Sequence, residues 1–403
     1  MKLRLLSLVF PSNYPGFAAD SIYVFNRILI ASLRQVAPDV EIAVAGPAAM
    51  PSPHPSVVVH SFNSGTDKYA VRFGFPWDEL AEILGEVRPD FVLVNMPEQA
   101  GAVAVLARDA LRLPCQIISY VHYVPATVEP GPQGPVVGYE ASMDEQGSGQ
   151  LLVLRLLEGL VASDLVLVCS RFGIRLLRGL AEFHLGRGVR LPTTKVLAPP
   201  VDPGESARAS SAERAPAPCF AYNHRLYDEY GTQLIFSLLQ QAASRCTPFD
   251  VLVTNPTAGR TTQRRRLNGR VDENVRALRE LPFVHLRHFD DRPSYFEALG
   301  GMWGGIAPYK PNALWSMSVF DVLATGRPVL SFDIASFGEM GLPSEDLVSS
   351  DADFLNRLER LTSEPLGGDD RERMRAIALA HSGHRTAQRF LALLGERPSG
   401  MGA

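Results

Sequence analysis

Short apolar runs alternate with segments of helical period from one end of the chain to the other, a pattern that leaves little room for anything but parallel sheets covered by helices. In the first half the runs read as strands near Leu3–Val9, Glu41–Ala45, Val57–His60, Phe91–Asn95, Gln116–Val121 and Leu165–Cys169. In the second half they fall near Cys219–Tyr222, Asp250–Thr254, Phe283–Leu286, Gly304–Ala307 and Val329–Phe332. The first intervening helix, roughly Ala19 to Val36, puts Ile22, Phe25, Leu29 and Leu33 on one face, which must pack on a sheet. From Asp369 to Leu394 the chain reads as helical, with a break at Ser382-Gly-His-Arg.

At 403 residues the chain exceeds what one core ordinarily serves, so two α/β domains are expected. The stretch 203–217 is rich in proline and small residues and has no apolar period, which is linker composition. It divides an N-terminal Rossmann-like domain, 1–202, from a C-terminal one, 218–403, that includes the terminal helices. A 46% hydrophobic and 20% charged composition is that of a globular protein. Apolar runs such as Val161–Cys169 are broken by polar residues well before the ~18 residues a membrane helix needs. Met1–Phe10 has no small-residue cleavage site and reads as a buried first strand rather than a leader. Cys115, Cys169, Cys219 and Cys246 are widely spaced, which fits reduced cysteines in a cytoplasmic protein. No His, Cys or acidic cluster has metal-ligand spacing, and none is expected to bind a metal.

A net charge of −4 offers no overall attraction to nucleic acid, so such a partner would need a local patch. Arg260, Arg264, Arg265, Arg266 and Arg270 supply one within eleven residues. They could track a phosphate backbone, or form a solvated helix start diluted by Asp272, Glu273 and Glu280. Val124–Gly149 carries four prolines and five glycines, reads as irregular, and leaves the carboxyl end of a strand, where open α/β sheets bind ligands. It suggests a lid on the acceptor side.

Asn312 to Leu330 combines a polar-aromatic approach, a helix starting near Ser316, a stop at Gly326 and the strand Pro328-Val-Leu330. The free N–H groups of the helix's first turn would hold a pyrophosphate, and Asp321 could reach a ribose hydroxyl. An ordinary amphipathic helix capped by Ser316 satisfies the local chemistry as well.

Ala313-Leu-Trp-Ser-Met-Ser-Val-Phe-Asp-Val-Leu-Ala-Thr-Gly-Arg-Pro-Val329 resembles the Glu-x7-Glu segment of family-4 glycosyltransferases, keeping Ser318, Ala324, Gly326, Pro328 and Val329. The family's two glutamates fall on Ala313 and Asp321. Phe220–Gly231 is similar to the family strand that ends in Gly-Arg-Leu followed by Lys-Gly, with Tyr230 at the lysine. The resemblance implies a GT-B fold: two Rossmann-like domains facing each other across a cleft, with a helical tail. It implies a hexosyl- or pentosyltransferase that retains anomeric configuration, with a nucleotide-diphosphate sugar as co-substrate and neither metal nor other cofactor. By resemblance Arg225 offsets the leaving diphosphate and His122 faces the reacting sugar. Gly16 belongs to the loop closing over donor and acceptor, and Asp321 binds the ribose. The family's first glutamate is either missing here or replaced by Asn312, while His224, Ser316, Met317, Ser318 and Glu339 complete the donor set. The acceptor stays open between a small molecule, a glycan and a base of DNA or RNA reached through the arginine patch. Ala313 and Tyr230 keep open a binding protein of the same fold without catalysis.

Overall fold

The apolar runs form strands because burial on both faces of a parallel sheet requires near-continuous hydrophobic sequence. Leu165–Val168 and Val329–Phe332 are buried at every position. The structure is a computed structural model that describes residues 3–11, 16–17, 20–65, 69–132, 134–144, 147–210, 214–254, 269–364 and 367–396. Its contacts divide the chain into two units, 1–200 with 383–403, and 201–382.

The first unit holds β1 (Arg4–Leu8), β2 (Glu41–Gly46), β3 (Val58–Ser61), β4 (Phe91–Val94), β5 (Gln116–Val121), β6 (Ala126–Gly131), β7 (Gly134–Tyr139), β8 (Leu165–Val168) and β9 (Thr193–Val196). Seven of these make one parallel sheet in the order β3-β2-β1-β4-β5-β8-β9. The second unit holds β10 (Cys219–Tyr222), β11 (Asp250–Thr254), β12 (Val284–Arg287), β13 (Gly304–Ile306), β14 (Val329–Phe332) and β15 (Leu347–Val348). They form a parallel sheet in the order β12-β11-β10-β13-β14-β15. Both orders reverse direction once, between β1 and β4 and between β10 and β13. Ligands of doubly wound sheets bind beyond the carboxyl ends of the strands at that reversal.

Three expectations are corrected. The stretch 203–217 is not bare linker, because Pro203–Ser210 is a helix of the second unit and Asp202 Oδ1 accepts from Gly204 N at its start. Nor do all the terminal helices belong to the second domain. The last, Gly383–Gly395, lies in the first unit and buries Thr386, Ala387 and Phe390. It packs on the helix Ser21–Val36. Gly383 makes the approach possible, since a Cβ there would stand 2.2 Å from Ser32 Oγ. Finally, Val124–Gly149 is largely ordered: β6 and β7 pair antiparallel from Ala126↔Tyr139 to Gly131↔Gly134. The hairpin rests on the helix Arg171–Leu185, where Tyr139 Oη lies 3.3 Å from His184 Nε2.

Candidate functional site

In the second unit β10 and β13 flank the reversal, and each runs into a loop at its carboxyl end. After β10 come Asn223, His224 and Arg225; after β13 come residues 307–315 and then the helix Met317–Ala324. That helix starts where expected because Ser316, in extended backbone, caps it: its side chain accepts from Val319 N at 3.3 Å. Such a cap contributes about 1 kcal/mol. Asn223 ties the two loops together, its Nδ2 donating to the Ser318 carbonyl at 3.0 Å and to Tyr295 Oη at 2.6 Å. Because the Ser318 carbonyl can only accept, the amide orientation is settled, and Oδ1 is the atom left buried without a partner among the described residues.

A second tie runs through Gly231, which has φ +63° and lies so close to Tyr309 that a Cβ would stand 2.5 Å from the Tyr309 Cβ. Beside it, Lys310 is buried, with Nζ 4.4 Å from the centroid of the Tyr230 ring. Tyr230 stands where the resembled family has a lysine, so a cation reaches the same loop from the other side of the reversal. Lys310 is not among the site residues expected from the sequence. The available signal was its place just beyond the predicted strand Gly304–Ala307, as one of only four lysines among 39 basic residues.

Every donor residue expected from the sequence in the second unit lies beyond the carboxyl ends of β10, β13 or β14. Asn312 is buried there, Ser316, Met317 and Ser318 are half-buried, and Glu339 is exposed on the short turn Phe337–Glu339 after β14. Arg225 is half-buried. Burial pushes the His224 imidazole down to about 3, with the Ile306 backbone opposing that shift, so this histidine is a neutral donor rather than a cation.

Asp321 is drawn inward. Its Oδ2 accepts from Tyr295 Oη at 3.1 Å and its Oδ1 from Arg292 Nη2 at 3.3 Å. Arg292 also grips both oxygens of Glu205 at 2.9 to 3.0 Å. Burial raises the Asp321 carboxyl, and Arg292 works against that rise. The residue expected at the ribose is therefore held in a buried chain, Glu205–Arg292–Asp321–Tyr295–Asn223, of which only Asp321 is expected from the sequence. Ala313, at the first acidic position of the resembled motif, is buried with its amide on the Lys310 carbonyl at 3.1 Å.

In the first unit the reversal between β1 and β4 carries a buried polar cluster. Asn26 donates to the Ile22 carbonyl at 2.9 Å, so its Oδ1 is the atom that accepts from Ser7 Oγ at 2.6 Å and from Asn95 Nδ2 at 3.1 Å. Asn95 Oδ1 then faces His122 Nε2 at 3.2 Å. The ring is packed by Phe25 and Tyr120, and burial pushes its pKa down to about 3. Beyond β2 and β3 on the same edge lies a hollow of about 320 Å3, lined in part by Asn63, Ser64 and Glu79. Gly16 is exposed, and residues 12–15 of its predicted loop Pro11–Phe17 lie outside the described residues. So do Arg260, Arg264, Arg265 and Arg266; Arg270 is described and donates to Asp228 Oδ2 at 2.7 Å.

No protein-family model and no curated protein matches the sequence. Solved structures do match the fold along its whole length. The trehalose-6-phosphate synthase OtsA aligns with a TM-score of 0.67 at 12% identity, covering 99% of this chain and 100% of that one. A glycosyltransferase from Rickettsia africae aligns at 0.63 and 13% identity, covering 98% of each chain. The fold is GT-B. HepE of Anabaena, solved with UDP and glucose, aligns at 0.62 and 12% identity over 98% of this chain and 99% of that one. In GT-B terms the two sheets described above are the two Rossmann-like halves. Among the described residues no helix is long and apolar enough to cross a membrane.

Proposed function

We propose that this chain is a glycosyltransferase whose nucleoside-diphosphate sugar binds at the carboxyl edge of the second unit's sheet. The observation that carries this reading is the Asn223 bridge to Ser318, which fastens the loop after β10 to the start of the helix after β13. The loop after β10 also carries Arg225, the loop after β13 carries Lys310, and the Met317 turn adds helix N–H groups, three sources of positive potential suited to a diphosphate. A guanidinium and an ammonium there would offset the charge that develops as the sugar–phosphate bond breaks. The transfer is proposed to retain configuration, as the family-4 resemblance implies, with the nucleotide sugar as its only co-substrate and no catalytic metal.

The acceptor is assigned to the carboxyl edge of the first unit. Its hollow presents Asn63, Ser64 and Glu79, side chains that hydrogen-bond hydroxyl-bearing molecules. His122 is fixed as an Nε2–H donor to Asn95, which leaves Nδ1 as an acceptor for a hydroxyl proton. A base of DNA or RNA remains an acceptor to test through the arginine run: reversing Arg264 to Arg266 should abolish gel-shift binding, and unchanged retention removes that reading.

Ala313 and the inward-held Asp321 favour one alternative, a GT-B protein that binds the nucleotide without transferring the sugar. A panel of nucleotide sugars separates the two. Thermal stabilisation together with release of nucleoside diphosphate supports transfer or hydrolysis. Stabilisation without release supports binding alone, and the absence of both sinks the donor site.

A further inference from the structure

The opposite edge of the second unit's sheet carries a concentration of positive charge that the donor site does not use. Arg327 precedes β14, is 3% exposed, and donates from Nε to the Gly300 carbonyl at 3.1 Å. The neighbouring Gly326 has φ +78°, and a Cβ there would stand 3.0 Å from Arg375 Nε and 3.1 Å from the Arg371 carbonyl. Arg371 and Arg375 are one turn apart on the helix Gly368–Leu379, which packs on the helix Met317–Ala324. Arg214 lies over the Trp303 ring at 4.7 Å, and Trp303 Nε1 donates to the Ala215 carbonyl at 2.9 Å. Trp303 in turn donates its N–H to the Cys219 carbonyl, so the arginines gather where β10, β13 and β14 begin.

These guanidiniums are not all satisfied. Among the described residues, the Nε atoms of Arg371 and Arg375 are both buried without a hydrogen-bond partner. An orphaned N–H on a charged group is expensive to bury. Glu372 reaches Arg375 Nη1 at 3.3 Å, but that carboxylate is 77% exposed. The pKa of Arg327 is pushed down to about 10, first by burial and then by Arg371, Arg214 and Arg375. Like charges held together with unused donors are what an oxyanion site looks like before its ligand arrives, since guanidinium donors match phosphate oxygens bidentately.

We propose that Arg214, Arg327, Arg371 and Arg375 form a binding site for a phosphate-type dianion at the amino edge of the second unit's sheet. The crossing from Trp303 to Ala307 along β13 puts it about 13 Å from the donor edge. The ligand is inorganic phosphate or the terminal phosphate of a larger molecule, and its binding relieves the repulsion among the four guanidiniums.

The full chain is melted in phosphate and in chloride at matched ionic strength, as wild type, as the double variant Arg371→Gln/Arg375→Gln, and as the exposed control Arg187→Gln. Phosphate stabilises many proteins by surface exclusion, and that effect is common to all three. The wild type and the control should gain about 3–5 °C more than the double variant at a tenfold excess over Kd. In chloride the double variant should melt no lower than wild type, because a repulsion has been removed. An equal phosphate response in all three proteins overturns the site, as does a lower melting temperature of the double variant in chloride. If the double variant does not fold, the proposal is likewise overturned, since the arginines are then structural. Arg375→Lys, which keeps the charge but loses the planar fork, should show a reduced response, and a full one counts against the site. A parallel arm with glucose 6-phosphate distinguishes the sources: a response at lower concentration than inorganic phosphate identifies a phosphate ester, and an equal response the free ion.

Discussion

His122 Nε2 lies 3.2 Å from Asn95 Oδ1, and a chain of fixed amides from the Ile22 carbonyl through Asn26 makes that oxygen an acceptor. The histidine must therefore carry its proton on Nε2 and offer Nδ1 to a ligand. Asn95→Asp puts a negative charge beside the ring and removes the donor to Asn26. The His122 pKa, held at about 3 by burial, should rise by about 1–3 units. A 1H–15N titration reads this directly, and an unmoved pKa would show that the two side chains do not communicate.

The same burial makes stability depend on pH. His122 and His224 are both pushed down to about 3, whereas unfolded histidine titrates near 6.5, so between those values the unfolded chain binds the extra protons. Their stabilisation is complete above about pH 6.5 and is lost as pH falls, at up to about 1.4 kcal/mol per pH unit for each residue. Urea unfolding at pH 7 and pH 5 should show the decline, and His224→Gln should make it shallower. A flat profile in wild type would contradict the burial of both rings.

Gly231→Ala tests the loop tie. The substitution places a side chain at φ +63° and 2.5 Å from Tyr309 Cβ, so the loop carrying Lys310 must move. A loss of about 1–3 kcal/mol is expected. Nucleotide binding should weaken along with it, and a variant that keeps both stability and affinity would separate this loop from the proposed donor site.

Lys310→Met removes the buried cation beside Tyr230 while keeping an apolar stem of similar length. Affinity for a nucleoside diphosphate should fall about tenfold, or roughly 1.4 kcal/mol, with little change in melting temperature. Calorimetry with UDP as the probe checks it. Undiminished affinity would take the ammonium out of the proposed phosphate site.

Arg292→Ala leaves Glu205 and Asp321 buried without their shared guanidinium. A cost of about 3–5 kcal/mol follows from stranding buried charge. Glu205→Gln, which keeps a hydrogen-bonding partner, should cost clearly less in the same denaturant titration. Equal costs would mean that the charges, not the hydrogen bonds alone, hold this cluster.

Much of the architecture was legible in order because local patterns carry it. The strand runs, the cap at Ser316 and the stop at Gly326 are short-range features, and each lies within a residue or two of its expected place. The placement of the last helix is not legible in the sequence for the opposite reason. Its amphipathic period says that it must pack, but only the fit of Gly383 against Ser32, 351 positions away in sequence by subtraction of those residue numbers, says on what. Asp321 illustrates the same limit inside the site: its spacing in the motif was readable, while its capture by Arg292 and Tyr295 was not.

By itself the sequence determined two parallel α/β units and the segment from Asn312 to Asp321 as the place to look, since apolar period and capping act over a few residues. Only the tertiary structure decided which groups meet: Lys310 over Tyr230, Asn95 beneath His122, four arginines at the far edge of a sheet. Hydrogen bonds and charge pairs are made across space, and strand order, which no local pattern encodes, sets which distant residues share that space.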